Sequence, residues 1–370
     1  MTVLWKRSFV MGDGISQETG SEDIRKRMSL YLAEVGGGHK TSRSLSLKEA
    51  EEAFRYIFEG KSSEAQTAAF LIALRIKGSS DEERLGLLNI LRQYNEEAGF
   101  NFPDLLDYSN FYDGRDNEIQ LSPVIALVAV AAGARVVMTG GKAKNNNIMN
   151  RITIQDVLKG LGIRVNASLP EVGEHLQNLR IGFIDTHDVN RALNNPDLDR
   201  IREDIGLRTP INTIEVSLNP AKAPYQIRGM FHPGNMEQVA KIMAVSGIKR
   251  GMMLGGISGS GEVPTYKTTK GFEITGERVA PFSIDPSEYG FSPGDRSHIM
   301  VSDILEQTGK LLEILDGKGE ASLRDMTILN AALILYTSEK VRSIDEGIKL
   351  SAECLNSGKP LRLLDAWKKI

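Results

Sequence analysis

The sequence predicts an α/β protein in which a helical region precedes a larger region of alternating strands and helices. Up to about Glu97, apolar residues recur three and four positions apart behind residues with capping-box spacing, which is typical of amphipathic helices. Beyond about Asn117, short apolar runs end in glycine-rich turns and precede helical segments, which is typical of an α/β sheet. The chain has 370 residues, 41% of them hydrophobic, and is long enough to bury one large or two unequal cores.

The N-terminal part is predicted to hold an arm and a helical domain. Residues 1–21 show neither helical nor strand periodicity, and we expect them to form an extended arm. A helical domain of about four helices is predicted over residues 22–100, with helix starts at Ser46 and Ser80, each followed three residues later by a glutamate. Two apolar stripes are predicted to face its core: Ala50, Ala53, Phe54 and Ile57, and then Ala69, Ile72, Ala73 and Ile76.

The second part, residues 101–370, is predicted to be an α/β domain. The stretch 99–117 is rich in turn-forming residues and is interpreted as a hinge into this domain. Strands are predicted at residues 135–138, 181–184 and 250–254, and helices at about 300–316, 321–338 and 343–356.

Composition and charge exclude several classes of protein and site. The single cysteine, Cys354, excludes an internal disulfide framework and a zinc site of paired thiolates. The net charge of −3 gives no global attraction to nucleic acid, although a local basic groove is compatible with it. The longest apolar run, residues 124–134, is shorter than the roughly 20 residues that span a bilayer, and the first residues lack a secretory signal. We therefore expect a cytoplasmic protein without a membrane partner.

Three loops are candidates for ligand binding. Ser122 and Pro123 suit the N-cap and first position of an apolar helix, which either receives an anion or only caps a core helix. Gly140, Gly141 and Lys142 follow a predicted strand and form either a phosphate site or a solvated loop. The glycine-rich segment 255–262 follows another strand and permits either close approach to a ligand or only tight turns.

Three segments of the sequence are especially specific: 64–78 (EAQTAAFLIALRIKG), 202–212 (REDIGLRTPIN) and 218–221 (LNPA). In these segments, and from about residue 24 onward, the chain resembles the anthranilate phosphoribosyltransferase family, relatives of the pyrimidine nucleoside phosphorylases. The resemblance implies a small all-helical N-terminal domain, completed by about residues 185–210, joined to a larger α/β domain with a mixed sheet. It also implies a homodimer formed through the helical domain.

The resemblance assigns ligand roles to particular positions. Active members bind phosphoribosyl pyrophosphate through a Gly-Thr-Gly-Gly-Asp loop, where this chain has Tyr112-Asp113-Gly114-Arg115-Asp116. An arginine that contacts anthranilate matches Arg202, whose alternative is a helix-surface ion pair with Glu203 or Asp204. The residues expected to bind phosphate or ligand are Gly114, Arg115, Ser122, Gly140, Gly141, Lys142 and Arg202. No catalytic residue is assigned.

The resemblance also bears on a metal. The Asp-Glu pair that holds magnesium in the family falls at Gly261-Glu262, so only Glu262 is left as a metal ligand. The sequence itself therefore requires no cofactor, and Mg²⁺ is expected only if transferase activity survives.

The altered motifs are similar to those of a divergent branch of the family that lacks the catalytic loops and binds nucleic acid. The sequence is accordingly predicted to be a weak, sequence-independent nucleic-acid binder that prefers single strands. The alternative is a phosphoribosyltransferase acting on anthranilate or another aromatic acceptor, as in tryptophan biosynthesis, or a binder of another phosphorylated metabolite. The cations expected to contact nucleic acid are Lys142, Lys144, Arg151, Lys267 and Lys270.

Overall fold

The computed structural model describes residues 20–38, 40–109, 114–141 and 151–370. The predicted arm up to residue 19, and the predicted ligand residues Lys142 and Lys144, lie outside these ranges. Within them, no helix is both long and apolar enough to cross a membrane.

The N-terminal domain begins with four helices, as the sequence predicts. They are α1 (Ser21–Val35), α2 (Leu47–Phe58), α3 (Glu64–Lys77) and α4 (Asp81–Gln93). Both predicted capping boxes are present, at Ser46 with Glu49 and at Ser80 with Glu83. The α2 stripe is buried, so the prediction for this face of the helix is confirmed.

The prediction for the buried face of α3 is wrong. Ile76 is 80% exposed and Ala69 is also exposed, while the helix buries Phe70, Leu71 and Leu74 instead. Helix α3 is apolar around most of its circumference, so spacing alone does not select the face that packs. The outer apolar row is left on the surface of the domain.

A seven-stranded mixed sheet forms the second domain, in agreement with the predicted fold class. The strands are β1 (Leu105–Ser109), β2 (Arg135–Gly140), β3 (Ile181–Asp185), β4 (Tyr225–Gly229), β5 (Arg250–Leu254), β6 (Thr269–Thr275) and β7 (Arg278–Ile284). Their order in the sheet is β3-β2-β1-β4-β5-β6-β7. The first five strands in this order are parallel, β6 is antiparallel to β5, and β7 is antiparallel to β6. The three predicted strands correspond to β2, β3 and β5.

The remaining helices pack around the sheet or on the helical domain. They are α5 (Ser122–Ala131), α6 (Ile154–Gly160), α7 (Leu169–Asn178), α8 (Pro196–Ile205), α9 (Pro210–Ile214), α10 (Met236–Val245), α11 (Ile304–Leu315), α12 (Ala321–Thr337), α13 (Ile344–Asn356) and α14 (Lys359–Trp367). The core of α1 to α4 continues into Leu193, Leu198, Ile211 and Leu218, so α8 and α9 pack with the helical domain.

The stretch predicted to be a hinge contains β1, the middle one of the five parallel strands. All five residues of β1 are buried, including Asp107, whose carboxylate accepts hydrogen bonds from Thr139 on β2 at 2.7 Å and Gln226 on β4 at 2.8 Å. Surrounding turn-forming residues mask a five-residue strand in the sequence, and the buried aspartate breaks its apolar run.

Asp107 is expected to make stability depend on pH. Burial raises the pKa of Asp107 to about 6, so the folded chain keeps a proton that the unfolded carboxyl releases near pH 4. The contribution of Asp107 to the free energy of unfolding is therefore most favourable below about pH 4 and declines as the pH rises. Above pH 6 the ionised carboxylate destabilises the folded chain by about 3 kcal/mol.

The Asp107→Asn variant isolates this effect in urea unfolding. The free energy of unfolding of the variant, relative to that of the wild type, should rise by up to about 3 kcal/mol between about pH 4 and pH 7, because only the wild type has an acid to ionise at this position. Any constant cost of the amide cancels in that comparison. A stability difference that does not change with pH would contradict the assignment.

Candidate functional site: the cleft between the two domains

Two adjoining cavities lie between the helical domain and the carboxyl ends of the parallel strands. Their volumes are about 310 and 380 Å³, within the range of small-molecule sites. Arg208, Phe231 and His232 line both cavities and form their common wall. The larger one is also lined by Gly114, Arg115, Asp116, Arg151 and Ser258, and we call it the polar cavity.

The backbone of Gly114 and Arg115, at the edge of the polar cavity, lies in close contact with the backbone of Ile152. Arg115 forms an antiparallel bridge with Ile152, with both N···O distances at 2.9 Å. Gly114 has a φ of +65°, and a Cβ there would lie 2.4 Å from the Ile152 carbonyl oxygen. Only glycine suits this position, which fixes where the neighbouring arginine side chain begins.

Arg115 pairs with Glu262 beneath the polar cavity. Its guanidinium donates to a Glu262 carboxylate oxygen at 2.8 Å and to the carbonyl of Ile119. The other Glu262 oxygen accepts from the backbone N–H of Ser122 at 2.9 Å and from the Ser122 hydroxyl. Glu262 is 1% exposed and Arg115 8%, so this is a buried ion pair. The structure thus brings three of the predicted residues together.

The start of α5 differs from the prediction by one residue. Leu121 is the N-cap, Ser122 is the first helical residue and Pro123 the second. The Ser122 hydroxyl therefore does not cap the helix, and its backbone N–H is taken by Glu262. A carboxylate at a helix N-terminus satisfies a donor that the helix itself leaves open, so Glu262 fills the anion position predicted for this helix start.

Two further carboxylates beside the polar cavity are paired with arginines. Asp116 accepts from Arg151 at 2.8 and 3.3 Å, and this pair is partly exposed. Glu118 accepts from Arg296 at 3.0 Å and from the Ser258 hydroxyl. Together with the Arg115–Glu262 pair, these contacts neutralise the carboxylates around the cavity.

The glycine-rich loop after β5 packs directly on β4. A Cβ at Gly229, the last residue of β4, would lie 2.1 Å from the Gly259 oxygen and from the Ser260 carbonyl carbon. The same loop places Ser258 in a left-handed conformation with a φ of +46°. The glycines here therefore serve backbone packing and position Ser258 at the wall of the polar cavity.

The Gly229→Ala variant is expected to displace this loop and to cost about 1 to 3 kcal/mol in urea unfolding. A matched control is Gly234→Ala, because Gly234 has an ordinary φ and a Cβ there would meet no atom within 4 Å. Equal stabilities for the two variants would contradict the close packing.

Arg202 lies behind the other cavity and not on the surface of its helix. It donates to both oxygens of Glu215 at 3.2 and 3.3 Å, and both side chains are 1% exposed. His187 contacts the same carboxylate at 3.4 Å. The alternative of a helix-surface ion pair with Glu203 or Asp204 is therefore wrong. Glu215, and not Arg202, lines the cavity.

Electrostatics within this buried triad favour an ionised carboxylate. Burial alone would raise the pKa of Glu215, but the charge of Arg202 and the hydrogen bond with His187 outweigh it, so the pKa is lowered. The charge of Arg202 is thus committed to the protein interior.

The second cavity mixes apolar and charged side chains and carries an exposed aromatic ring at its mouth. Phe231 is 57% exposed and meets the His232 ring edge-on at 5.2 Å. Its apolar lining residues include Leu74, Pro210, Ile214, Val216 and Met230, for which we call it the apolar cavity, and four arginines line it as well. The apolar side chains suit a planar ring, while the arginines suit an anionic substituent on it.

The other predicted residues lie elsewhere. Gly140 ends β2, where its carbonyl accepts from the N–H of Thr186 at 2.8 Å, and neither it nor Gly141 lines the two cavities. Lys267 and Lys270 are exposed beside the start of β6, also outside both cavities. The neighbouring Tyr266 packs against the main core and is only partly exposed.

Sequence reasoning missed Arg208, Phe231 and Glu118. Arg208 lies within the segment 202–212 that carries the family resemblance, so its signal was present in the sequence. Phe231 follows β4, a strand that was not predicted. Glu118 gave no signal, because its partner Arg296 is 178 residues away.

Both domains match known protein families. The α/β domain of the glycosyl transferase family matches residues 113–361, and the helical bundle domain of that family matches residues 31–94.

Curated relatives with this arrangement are anthranilate phosphoribosyltransferases. The protein of Acetivibrio thermocellus is 30% identical over 325 residues, which cover 88% of this chain and 92% of the relative. The protein of Methanocorpusculum labreanum is also 30% identical over 325 residues, which cover 87% of this chain and 92% of the relative.

Solved structures show the same fold. Anthranilate phosphoribosyltransferase from Thermus thermophilus superposes with a TM-score of 0.80 at 24% identity, covering 93% of this chain and 98% of the other. The Saccharomyces cerevisiae enzyme in complex with PRPP and Mg gives 0.78 at 20% identity, covering 93% and 97%. Because both domains match and 30% identity extends over most of its length, this chain belongs to the anthranilate phosphoribosyltransferase family of glycosyl transferases.

Proposed function

We propose that the interdomain cleft binds a phosphorylated ribose compound together with a planar aromatic acceptor, and that its reaction is phosphoribosyl transfer between them. The observation that carries this proposal is one continuous cleft of two cavities with a shared wall, in which arginines line both cavities and apolar side chains cluster in one of them. The names of the relatives support this choice over the nucleic-acid interpretation.

The polar cavity suits the phosphate groups. Arg115, Arg151 and Arg208 line it, and guanidinium groups bind phosphate oxygens with two parallel hydrogen bonds. In phosphoribosyl transfer the barrier falls when the reactants are aligned and the charge on the departing pyrophosphate is stabilised. Arginines held in place by Glu262 and Asp116 meet that need without reorganising.

The apolar cavity suits the acceptor ring. Phe231 offers a face for stacking at the mouth, next to the polar cavity where the ribose would sit. Arg202 is not available to hold an acceptor carboxylate, since it is sealed behind Glu215. Four other arginines line the same cavity and are placed to receive one: Arg75, Arg84, Arg208 and Arg228.

The test combines ligand binding with turnover. The purified chain is titrated calorimetrically with phosphoribosyl pyrophosphate, and pyrophosphate release is then followed with anthranilate as acceptor. The proposal expects saturable binding, and release that depends on the acceptor. Absence of binding would contradict the proposal. Binding without pyrophosphate release would support phosphoribosyl pyrophosphate as the ligand and exclude anthranilate as the acceptor.

Single-stranded nucleic acid is the second candidate, and would place the chain with the divergent, non-catalytic branch of the family. The specific observation in its favour is the exposed Phe231 beside Arg151 and Arg208, because bases stack on aromatic rings while cations follow the backbone. A fluorescent oligonucleotide should then bind with steep salt dependence. Binding to phosphoribosyl pyrophosphate with no response to the oligonucleotide would eliminate this candidate.

Homodimerisation is proposed through the outer face of the helical domain. Ile76 on α3 and Leu30 on α1 are 80% and 63% exposed, and the two helices pack side by side. Light scattering at micromolar concentration should give twice the chain mass of 40.7 kDa. Ile76→Glu should give the monomer, whereas Leu305→Glu, at a similarly exposed position on α11, should not. A wild-type monomer would contradict the proposal.

A further inference from the structure

We infer that the guanidinium of Arg115 takes the place of a divalent cation at Glu262, so that the cleft holds anionic ligands with its own arginines and without Mg²⁺. The ligand part of this inference rests on the proposed function, whereas the statement about the metal stands on the geometry alone. Magnesium is considered because the solved structure of the Saccharomyces cerevisiae relative contains Mg together with PRPP.

Both oxygens of Glu262 are already satisfied. One accepts from the Ser122 N–H and hydroxyl, and the other accepts from Arg115 at 2.8 Å. A cation at this carboxylate would have to displace a guanidinium that also donates to the Ile119 carbonyl. It would also have to reach a side chain that is 1% exposed. The first condition for a metal site, an oxygen ligand with room for the ion, is therefore not met.

The described residues around Glu262 do not supply the missing ligands. No cluster of three His, Cys, Asp or Glu side chains suited to a metal occurs in the described ranges. The neighbouring Gly261 has no carboxylate, and a Cβ there would lie 3.4 Å from the Tyr108 ring. Mg²⁺ favours several hard oxygen ligands, and among the described residues the Ser122 hydroxyl beside Glu262 is itself engaged with that carboxylate.

Two other carboxylates that the structure describes near the polar cavity follow the same rule. Asp116 is held by Arg151 with two contacts, and Glu118 by Arg296. Each would lose a charge-assisted hydrogen bond if it turned toward a metal. The residues present therefore fit an arginine-lined anion cavity and do not fit a magnesium site.

The direct test of the metal statement uses Mn²⁺ alone with the wild-type chain. The signal of free Mn²⁺ in electron paramagnetic resonance falls when a protein binds the ion. We expect no binding up to about millimolar concentration, the weak end of protein sites for such cations. Micromolar binding of Mn²⁺ at one site per chain, lost in Glu262→Gln, would overturn the inference.

The test of the ligand statement is calorimetric titration with inorganic pyrophosphate, in EDTA and in excess Mg²⁺. We expect binding in EDTA at least as tight as in Mg²⁺, because the cavity and not the ion neutralises the ligand. Binding only with Mg²⁺ would overturn the inference and leave the proposed function standing. No binding under either condition would contradict both.

Two variants link these measurements to Arg115 and its surroundings. Arg115→Gly combined with Gly261→Asp removes the guanidinium and adds a second carboxylate, and should raise Mn²⁺ affinity by at least about tenfold. The matched control is Arg164→Gly, which removes an arginine from an exposed ion pair with Glu171 and should leave the Mn²⁺ affinity unchanged. A folded double variant, checked by circular dichroism, that fails to gain affinity would overturn the role given to Arg115.

Discussion

Glu262→Ala is expected to lower the free energy of unfolding by about 3 to 5 kcal/mol, the usual cost of removing one partner from a buried ion pair. The substitution leaves the guanidinium of Arg115 buried without its carboxylate, and the Ser122 N–H without its acceptor. Urea unfolding measures the loss directly.

A control and a rescue distinguish this effect from that of any lost glutamate. Glu237→Ala removes a carboxylate from an exposed pair with Lys241, and should cost less than about 1 kcal/mol. Replacing both partners, as Glu262→Gln with Arg115→Met, should recover more than half of the loss because no uncompensated charge is left. If Glu262→Ala were as mild as Glu237→Ala, the buried pair would not exist as described.

Arg202→Met is expected to cost a similar amount, about 3 to 5 kcal/mol, because it leaves Glu215 buried beside His187 without its main counter-charge. Since the pKa of Glu215 is lowered in the folded chain, the contribution of this pair is present near neutral pH and is lost on acidification through that lowered pKa. An arginine that served only to contact a ligand would show no such loss.

Arg200→Met is the matched control, two residues away on the same helix. Arg200 pairs with Glu64 at 2.6 Å, but both side chains are at least half exposed. Its removal should cost less than about 1 kcal/mol. Urea midpoints that move equally for the two variants would contradict a structural role for Arg202.

Local signals in the sequence predicted much of the fold. The capping boxes at Ser46 and Ser80 depend on residues three positions apart, and both were found. Strand β1 was missed because turn-forming residues surround it and Asp107 interrupts its apolar run. The long-range partners that make an aspartate acceptable in a central strand, Thr139 and Gln226, are invisible to local patterns.

The sequence predicts individual residues of the candidate site but not how these residues are arranged. Gly114, Arg115, Ser122 and Glu262 were all selected, but their mutual contact depends on side chains up to 147 residues apart. Arg202 was selected for its match to a ligand contact, whereas its environment depends on Glu215 and His187. Phe231 was missed because the strand before it was missed.

The most direct test of the central claim is a calorimetric titration of the wild-type chain with phosphoribosyl pyrophosphate, with inorganic pyrophosphate as competitor. The two-cavity cleft predicts saturable binding at one site per chain, weakened by the competitor through the polar cavity. Heats that do not saturate, under conditions where the chain is folded, would contradict the claim that this cleft binds a phosphorylated ribose.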